Sequence, residues 1–172
     1  MLQSRMVNQK GYTLVEIIVY VVIFSFVGVA LINVLINLTT NFAITRINRT
    51  LQETGTSVLS RIENEVNNAY TVDVVYSNLG GHPGDLYIYK DEFESNTLVR
   101  FYIDNDVVYI SEDDSLLGPL SSSSVDIDNL IFDHIVTSQG QALRVSLSLS
   151  ASQGSITRSA DFFTTLILRE SY

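Results

Sequence analysis

Hydrophobic and polar residues follow three different patterns along this chain. From Ile17 to Ile36 the sequence IIVYVVIFSFVGVALINVLI runs for 20 residues with no charge and no proline. As a helix it would extend roughly 30 Å, the thickness of a bilayer core. A helix that is apolar all round has no place inside a small domain, so the run predicts a membrane span. A secretory signal peptide has a shorter apolar core followed by a small-residue cleavage site. Here Val34-Leu35-Ile36 passes into Asn37-Leu38-Thr39-Thr40 with helical character and no such site, which predicts that the span is retained.

Beyond Leu38 the pattern becomes amphipathic. Apolar residues fall at Phe42, Ile44, Ile47, Leu51, Val58, Ile62, Val66 and Ala69, from Ile44 onward as a single helical stripe, with Arg46, Arg49, Glu53, Arg61, Glu63 and Glu65 on the polar face between them. The two segments together predict one helix from about Thr13 to Ala69, roughly 85 Å long, whose outer half packs on a globular head. Gly55 is its weak point, costing about 1 kcal/mol against alanine. A break near Asn37–Asn41, giving two helices, is the alternative.

After Tyr70 the period changes to two. Leu143, Val145, Leu147 and Leu149 alternate with Arg144, Ser146, Ser148 and Ser150, the pattern of a half-buried strand. Thr97–Ile103 and Val107–Ser111 flank Asp104-Asn105-Asp106 and predict a hairpin. Leu86–Lys90, Val125–Val136 and Ser155–Arg169 read as further strands. Gly80-Gly81-His82-Pro83-Gly84, Leu117-Gly118-Pro119-Leu120 and Ser121–Ser124 read as loops. The fold class is therefore α+β: a long N-terminal helix, half transmembrane and half amphipathic, packed against an antiparallel sheet.

Composition sharpens this division. The 172 residues carry 19 acidic against 10 basic side chains, net −9, yet the mean hydropathy is +0.22. So acidic a chain is a poor partner for a phosphate backbone, and no nucleic acid is expected to bind it. With no cysteine, disulfides, zinc thiolate sites and cysteine nucleophiles are excluded. Two basic residues stand on each side of the span, Arg5 and Lys10 before it and Arg46 and Arg49 after it, which does not fix its orientation.

Just before the span stands Lys10-Gly11-Tyr12-Thr13-Leu14-Val15-Glu16. Gly11 offers a peptide bond without side-chain hindrance, and Glu16 places an ionisable group at the edge of the hydrocarbon, where it is costly unless paired. This heptapeptide, set against a 20-residue span, resembles the type IV pilin superfamily, whose members carry a short basic leader ending in glycine and then an aromatic-Thr-Leu-aliphatic-Glu start to an apolar helix. Tyrosine stands here where phenylalanine is usual.

The resemblance implies removal of residues 1–11 by a prepilin peptidase and methylation of the new amino group on Tyr12. Residues 12–40 would form the transmembrane and polymerisation half of the helix, and residues 41–172 the outer helix half and β-rich head. It gives Glu16 an assembly role, facing the Tyr12 amino terminus of a neighbouring subunit, where attraction in a low dielectric offsets burial of both charges. A plain helix N-terminal carboxylate, favoured by the dipole, is the other reading of Glu16. It also implies a cytoplasmic N-terminus, a single pass through the inner membrane and a head on the outer side. Cleavage would leave eight basic against 19 acidic side chains, net −11.

The strand sequences are similar to those of the J-type minor pseudopilins of type II secretion and the W-type minor pilins, through Phe101-Tyr102-Ile103, Val108-Tyr109, Ile131-Phe132, Leu143–Leu149 and Phe163–Arg169. That likeness implies a structural subunit of a pseudopilus or pilus, at or near the tip, partnered by other minor subunits and the major subunit, with no catalysis and no cofactor. Asn33 and Asn37, four apart, could hydrogen-bond between helices. The alternative is a membrane-anchored module binding a surface ligand or DNA, for which Arg100, Arg144, Arg158 and Arg169 would have to gather into a basic patch.

No catalytic fingerprint stands in the chain. His82 and His134 lack a second ligand at useful spacing. The acidic runs Asp91-Glu92-x-Glu94, Glu112-Asp113-Asp114 and Asp126-x-Asp128 lack the spacing of a calcium loop, so no metal is expected.

Overall fold

The structure, a computed structural model, describes residues 11, 13–90, 97–137 and 140–168. Among the described residues one helix, α1 (Leu14–Asn67), is followed by eight strands. These are β1 (Thr71–Val72), β2 (Leu86–Tyr89), β3 (Leu98–Asp104), β4 (Val107–Glu112), β5 (Ser115–Pro119), β6 (Asp126–Thr137), β7 (Gly140–Gln153) and β8 (Ile156–Ile167). The chain divides into two compact units, residues 1–42 and 43–172.

In the first unit, α1 is helical throughout and continues without a break across Asn37–Asn41. Its apolar side chains are exposed on every side, Phe24 at 79%. Hydroxyls on this stretch turn inward to the backbone: Ser25 Oγ donates to Val21 O, and Thr39 and Thr40 Oγ1 both donate to Ile36 O. These three hydroxyls are thereby satisfied without water.

In the second unit the stripe is buried. Ile47, Leu51, Val58, Ile62, Val66 and Ala69 join one core with the inward faces of two antiparallel sheets. The first sheet runs β1-β2-β3-β4-β5 and the second β6-β7-β8, every strand beside its neighbour in sequence. Leu86, Ile88, Val99, Phe101, Val108 and Ile110 face the core from the first sheet, and Leu130, Phe132, Leu143, Val145, Leu147 and Leu149 from the second. The second sheet therefore reproduces the alternation read at Leu143–Leu149, and β7 extends it in both directions to 14 residues.

Several expectations are corrected. Glu65 was expected on the polar face but is buried, because both carboxylate oxygens find cations: Oε1 meets Arg61 at 2.7 Å and Oε2 meets Lys90 at 3.0 Å. Leu117–Leu120 was expected as a loop, but Ser115–Pro119 pairs with β4 across a register shift at Ile110/Ser111. Pro119 is tolerated because β5 is an edge strand. The expected single sheet is two, and β1 was not anticipated.

Gly55 is not a weak point. It is buried, and a methyl group there would collide with the Phe162 ring of β8. Gly84 allows a second close approach, since a Cβ would lie 2.7 Å from Leu130 O. That approach joins the 78–85 loop to β6: Gly84 N–H donates to Leu130 O and Gly80 N–H to Phe132 O.

The hairpin turns explain two polar clusters. Asn105 and Asp106 have φ of 47° and 58°, and Asp113 and Asp114 have 49° and 62°. Two consecutive left-handed residues make the tight turn that suits antiparallel strands, and Asn and Asp tolerate it best after glycine.

Candidate functional site

The junction ahead of the span is built by the start of α1. Gly11 is exposed, with open space where a Cβ would project; Tyr12 lies outside the described residues. Thr13 caps the helix: its Oγ1 accepts the Glu16 N–H at 3.3 Å, and its carbonyl accepts the Ile17 N–H at 3.2 Å. Thr13-x-x-Glu16 has the spacing of a capping box, a signal legible in the sequence. The cap, two residues after Gly11, fixes where the helix begins.

Glu16 is half-exposed in the first helical turn. It is the only charged residue between Thr13 and Thr45. Its Oε1 accepts a hydrogen bond from the Tyr20 hydroxyl, one turn on, at 3.4 Å. Tyr20 was not anticipated as a partner, although its i+4 spacing places it on the same face. Asn33 and Asn37 are exposed, four apart, and neither has a side-chain partner among the described residues. They differ in this from Ser25, Thr39 and Thr40, whose hydroxyls bond to their own helix.

Residues 6–32 match the family model of the prokaryotic N-terminal methylation motif. The chain carries a prokaryotic N-terminal methylation motif. The match ends inside the apolar run and includes the Gly11–Tyr12 junction, the Thr13 cap and Glu16. No curated protein and no solved structure shows significant similarity to the chain. The motif supports a type IV pilin-like protein, a structural class rather than an enzymatic one, and implies processing by a prepilin peptidase and assembly with other pilins. The methylation motif also fits membrane anchoring, since α1 is long and apolar enough to cross a bilayer and its most apolar stretch has no buried residue.

The remaining candidates disperse through the second unit. Arg100 is held by Asp85, with Nε at 3.0 Å from Oδ1 and Nη2 at 2.6 Å from Oδ2, and its guanidinium lies over the Tyr102 and Tyr87 rings. The hydrogen bond to Asp85 raises its pKa, opposed by partial burial. Arg144 and Arg158 stand on β7 and β8, and Arg169 lies outside the described residues. Arg100 is thus engaged by its own sheet.

His82 Nδ1 accepts the Leu130 N–H at 3.1 Å, and His134 Nε2 shares a hydrogen bond with Gln141 Oε1. The Glu112-Asp113-Asp114 run sits at the β4–β5 turn, where Asp113 Oδ1 accepts the Leu98 N–H. Asp128 lies at the register shift of β6 and accepts from Ser150 Oγ. Asp91, Glu92 and Glu94 lie outside the described residues. Among the described residues, no three His, Asp or Glu side chains gather closely enough to hold a metal ion.

Proposed function

We propose that this chain is a minor pilin-like subunit, a pseudopilin, assembled into a type II secretion pseudopilus or a type IV pilus at or near its tip. The observation that carries the reading is the methylation motif placed on a capped helix whose apolar side chains stay exposed as far as Phe42. A helix of this kind needs an apolar surrounding, and a filament of like helices supplies one when the subunit leaves the bilayer. In this reading residues 1–11 are removed, Tyr12 becomes the methylated amino terminus, and the single pass leaves the head outside the inner membrane. Other minor subunits and the major subunit are the partners.

Glu16 then pairs with the amino terminus of a neighbouring subunit. In the isolated chain the Tyr20 hydroxyl meets one carboxylate oxygen, and in the filament the neighbour's amino group replaces or joins it. Asn33 and Asn37, unpartnered on the helix surface, are available for hydrogen bonds between helices. The ligand-binding alternative gains no support from Arg100, which is bound to Asp85.

The test is intact-mass analysis after co-expression with a prepilin peptidase. The expected product lacks Met1 to Gly11 and carries one added methyl group. A chain that keeps its first eleven residues overturns the reading. Glu16→Ala is expected to be cleaved normally and to fail to enter a filament with its partner subunits, measured by co-purification; normal incorporation would remove its assembly role.

A further inference from the structure

β3 runs on past the first residue of β2, and a pocket of about 210 Å³ opens beside the overhang. Leu86, which starts β2, pairs with Phe101, while β3 continues to Asp104 against β4. Ahead of Leu86 the chain has turned to the second sheet, where Gly84 N–H donates to Leu130 O. Ile103 therefore lines the pocket with no β2 residue opposite it. Residues that face each other in an antiparallel pair alternate between exchanging both hydrogen bonds and exchanging none. Ile103 faces Val108, whose N–H donates to Ser121 Oγ and whose C=O accepts from Leu120 N–H, both away from β3. The Ile103 N–H and C=O thus point to the pocket, and neither has a hydrogen-bond partner among the described residues.

The side chains around Ile103 balance donors against acceptors. Asp85 and Arg100 hold each other through two hydrogen bonds, so the pair brings no net charge to the pocket. Both stay partly open, 24% and 36% exposed. Two of the five Arg100 N–H groups are used on Asp85, which leaves three. Asn78 Nδ2 donates to Pro83 O at 2.7 Å and leaves its Oδ1 as an acceptor. Pro83 and Tyr102, whose ring stacks on Tyr109, add apolar surface. The wall is fixed in advance, because Asn78 N–H donates to Asp85 O at 2.7 Å and Gly84 is tied to β6.

We propose that this pocket binds a neutral pyranose sugar through two vicinal hydroxyls. The N and O of one extended residue lie about as far apart as the two oxygens of a vicinal diol. One hydroxyl accepts from the Ile103 N–H while its neighbour donates to the Ile103 C=O. Further ring hydroxyls, each both donor and acceptor, meet the spare Arg100 N–H groups, the Asp85 carboxylate and Asn78 Oδ1. The pairing that takes Arg100 out of any basic patch is what suits it to a neutral ligand, since an ionic one would compete with Asp85 or Arg100 for its partner. An extended peptide fits less well. β2 already fills the lane beside Phe101, so a guest strand opposite Ile103 would run into Leu86.

The experiment keeps the full chain in phospholipid nanodiscs, because alkyl-glycoside detergents would offer the sugar themselves. Isoleucine is labelled with nitrogen-15, and the Ile103 amide signal is assigned as the one lost in Ile103→Val. Methyl β-glucoside, methyl β-galactoside and methyl α-mannoside are titrated in turn. At least one is expected to shift the Ile103 signal saturably, with half-saturation at about 1 mM. The same ring without hydroxyls, 2-methoxytetrahydropyran, is expected to leave it in place. Arg100→Lys keeps a cation beside Asp85 but loses the spare N–H groups, and should weaken binding about fivefold. Arg144→Gln, on β7, should not change it. No saturable shift with any of the three sugars, an equal response to the hydroxyl-free ring, or unchanged affinity in Arg100→Lys overturns the proposal. Tighter binding of acetyl-alanine methylamide reassigns the pocket to a peptide, and tighter binding of methyl glucuronide reassigns it to an anion; either result overturns the neutral sugar.

Discussion

The two ends of α1 are made of the same backbone and bury their side chains in opposite ways. Up to Phe42 apolar residues cover the whole circumference and none is buried; from Ile47 to Val66 they occupy one stripe and disappear into a core with two sheets. The difference teaches that exposure of apolar surface is not a defect when it is uniform. A striped helix specifies one partner surface at one angle. A helix apolar all round specifies only a medium, which a bilayer or a bundle of identical helices can provide. The polar residues follow the same division. In the first unit Ser25, Thr39 and Thr40 bond to their own helix, while in the second Glu65 reaches across to Lys90, just after β2.

The strongest test of this contrast introduces the same acid on each side. Val58→Asp puts an unpaired charge in the core and should cost about 4 kcal/mol or more, enough to unfold the head in a denaturant titration of the full chain. Val27→Asp should cost about 3 kcal/mol of membrane insertion and leave the head folded, measured by membrane fractionation alongside limited proteolysis. If Val27→Asp also unfolded the head, the two units would not be independent.

A smaller effect is expected at Glu65. Glu65→Ala removes the carboxylate that holds both Arg61 and Lys90, leaving Lys90 with Glu112 at 3.6 Å. Because both cations are partly exposed, the loss should be about 2 kcal/mol in the denaturation midpoint, below that for a fully buried pair. Gly55→Ala should destabilise by about 1 kcal/mol, since the gain in helix propensity is outweighed by displacement of the Phe162 ring. A stabilised variant would show that the ring moves aside freely.

The smallest effect is a pH dependence. Burial of Asp73 raises its pKa, but hydrogen bonds from the Tyr76 N–H, the Tyr89 hydroxyl and the Val75 N–H outweigh this and hold it below its ordinary value. A depressed acid stabilises the fold at pH above its unfolded value of about 3.9 and loses that contribution as pH falls through the lower folded value. Asp73→Asn should flatten this part of the melting-temperature profile; an unchanged profile would assign it to other carboxylates.

Much of this architecture was legible because its signals are periodic. The apolar run, the helical stripe and the β7 alternation each repeat over enough residues to be read without tertiary information. So was the junction at Gly11 and Glu16, where residue types and position coincide. Less visible were features decided by a single distant contact. Glu65 looks like a surface residue until Lys90 is brought to it, and Gly55 looks like a flaw until Phe162 lies over it. β5 was hidden by Gly118-Pro119, which an edge position makes compatible with a strand. The pairing of Glu16 with Tyr20 was readable from their spacing of four.

Every ladder in the head joins strands that are consecutive in the chain. A chain emerging from its N-terminus can therefore close each hairpin as soon as its second strand appears, with no early strand kept waiting for a late one. The helix stripe is the exception. It precedes all the strands and is covered by both sheets, so its burial is expected to close the core last. A head halted before β8 would leave Gly55 and the stripe around it without the Phe162 ring, a greasy surface on which a quality-control protease or a neighbouring unfolded chain would first take hold.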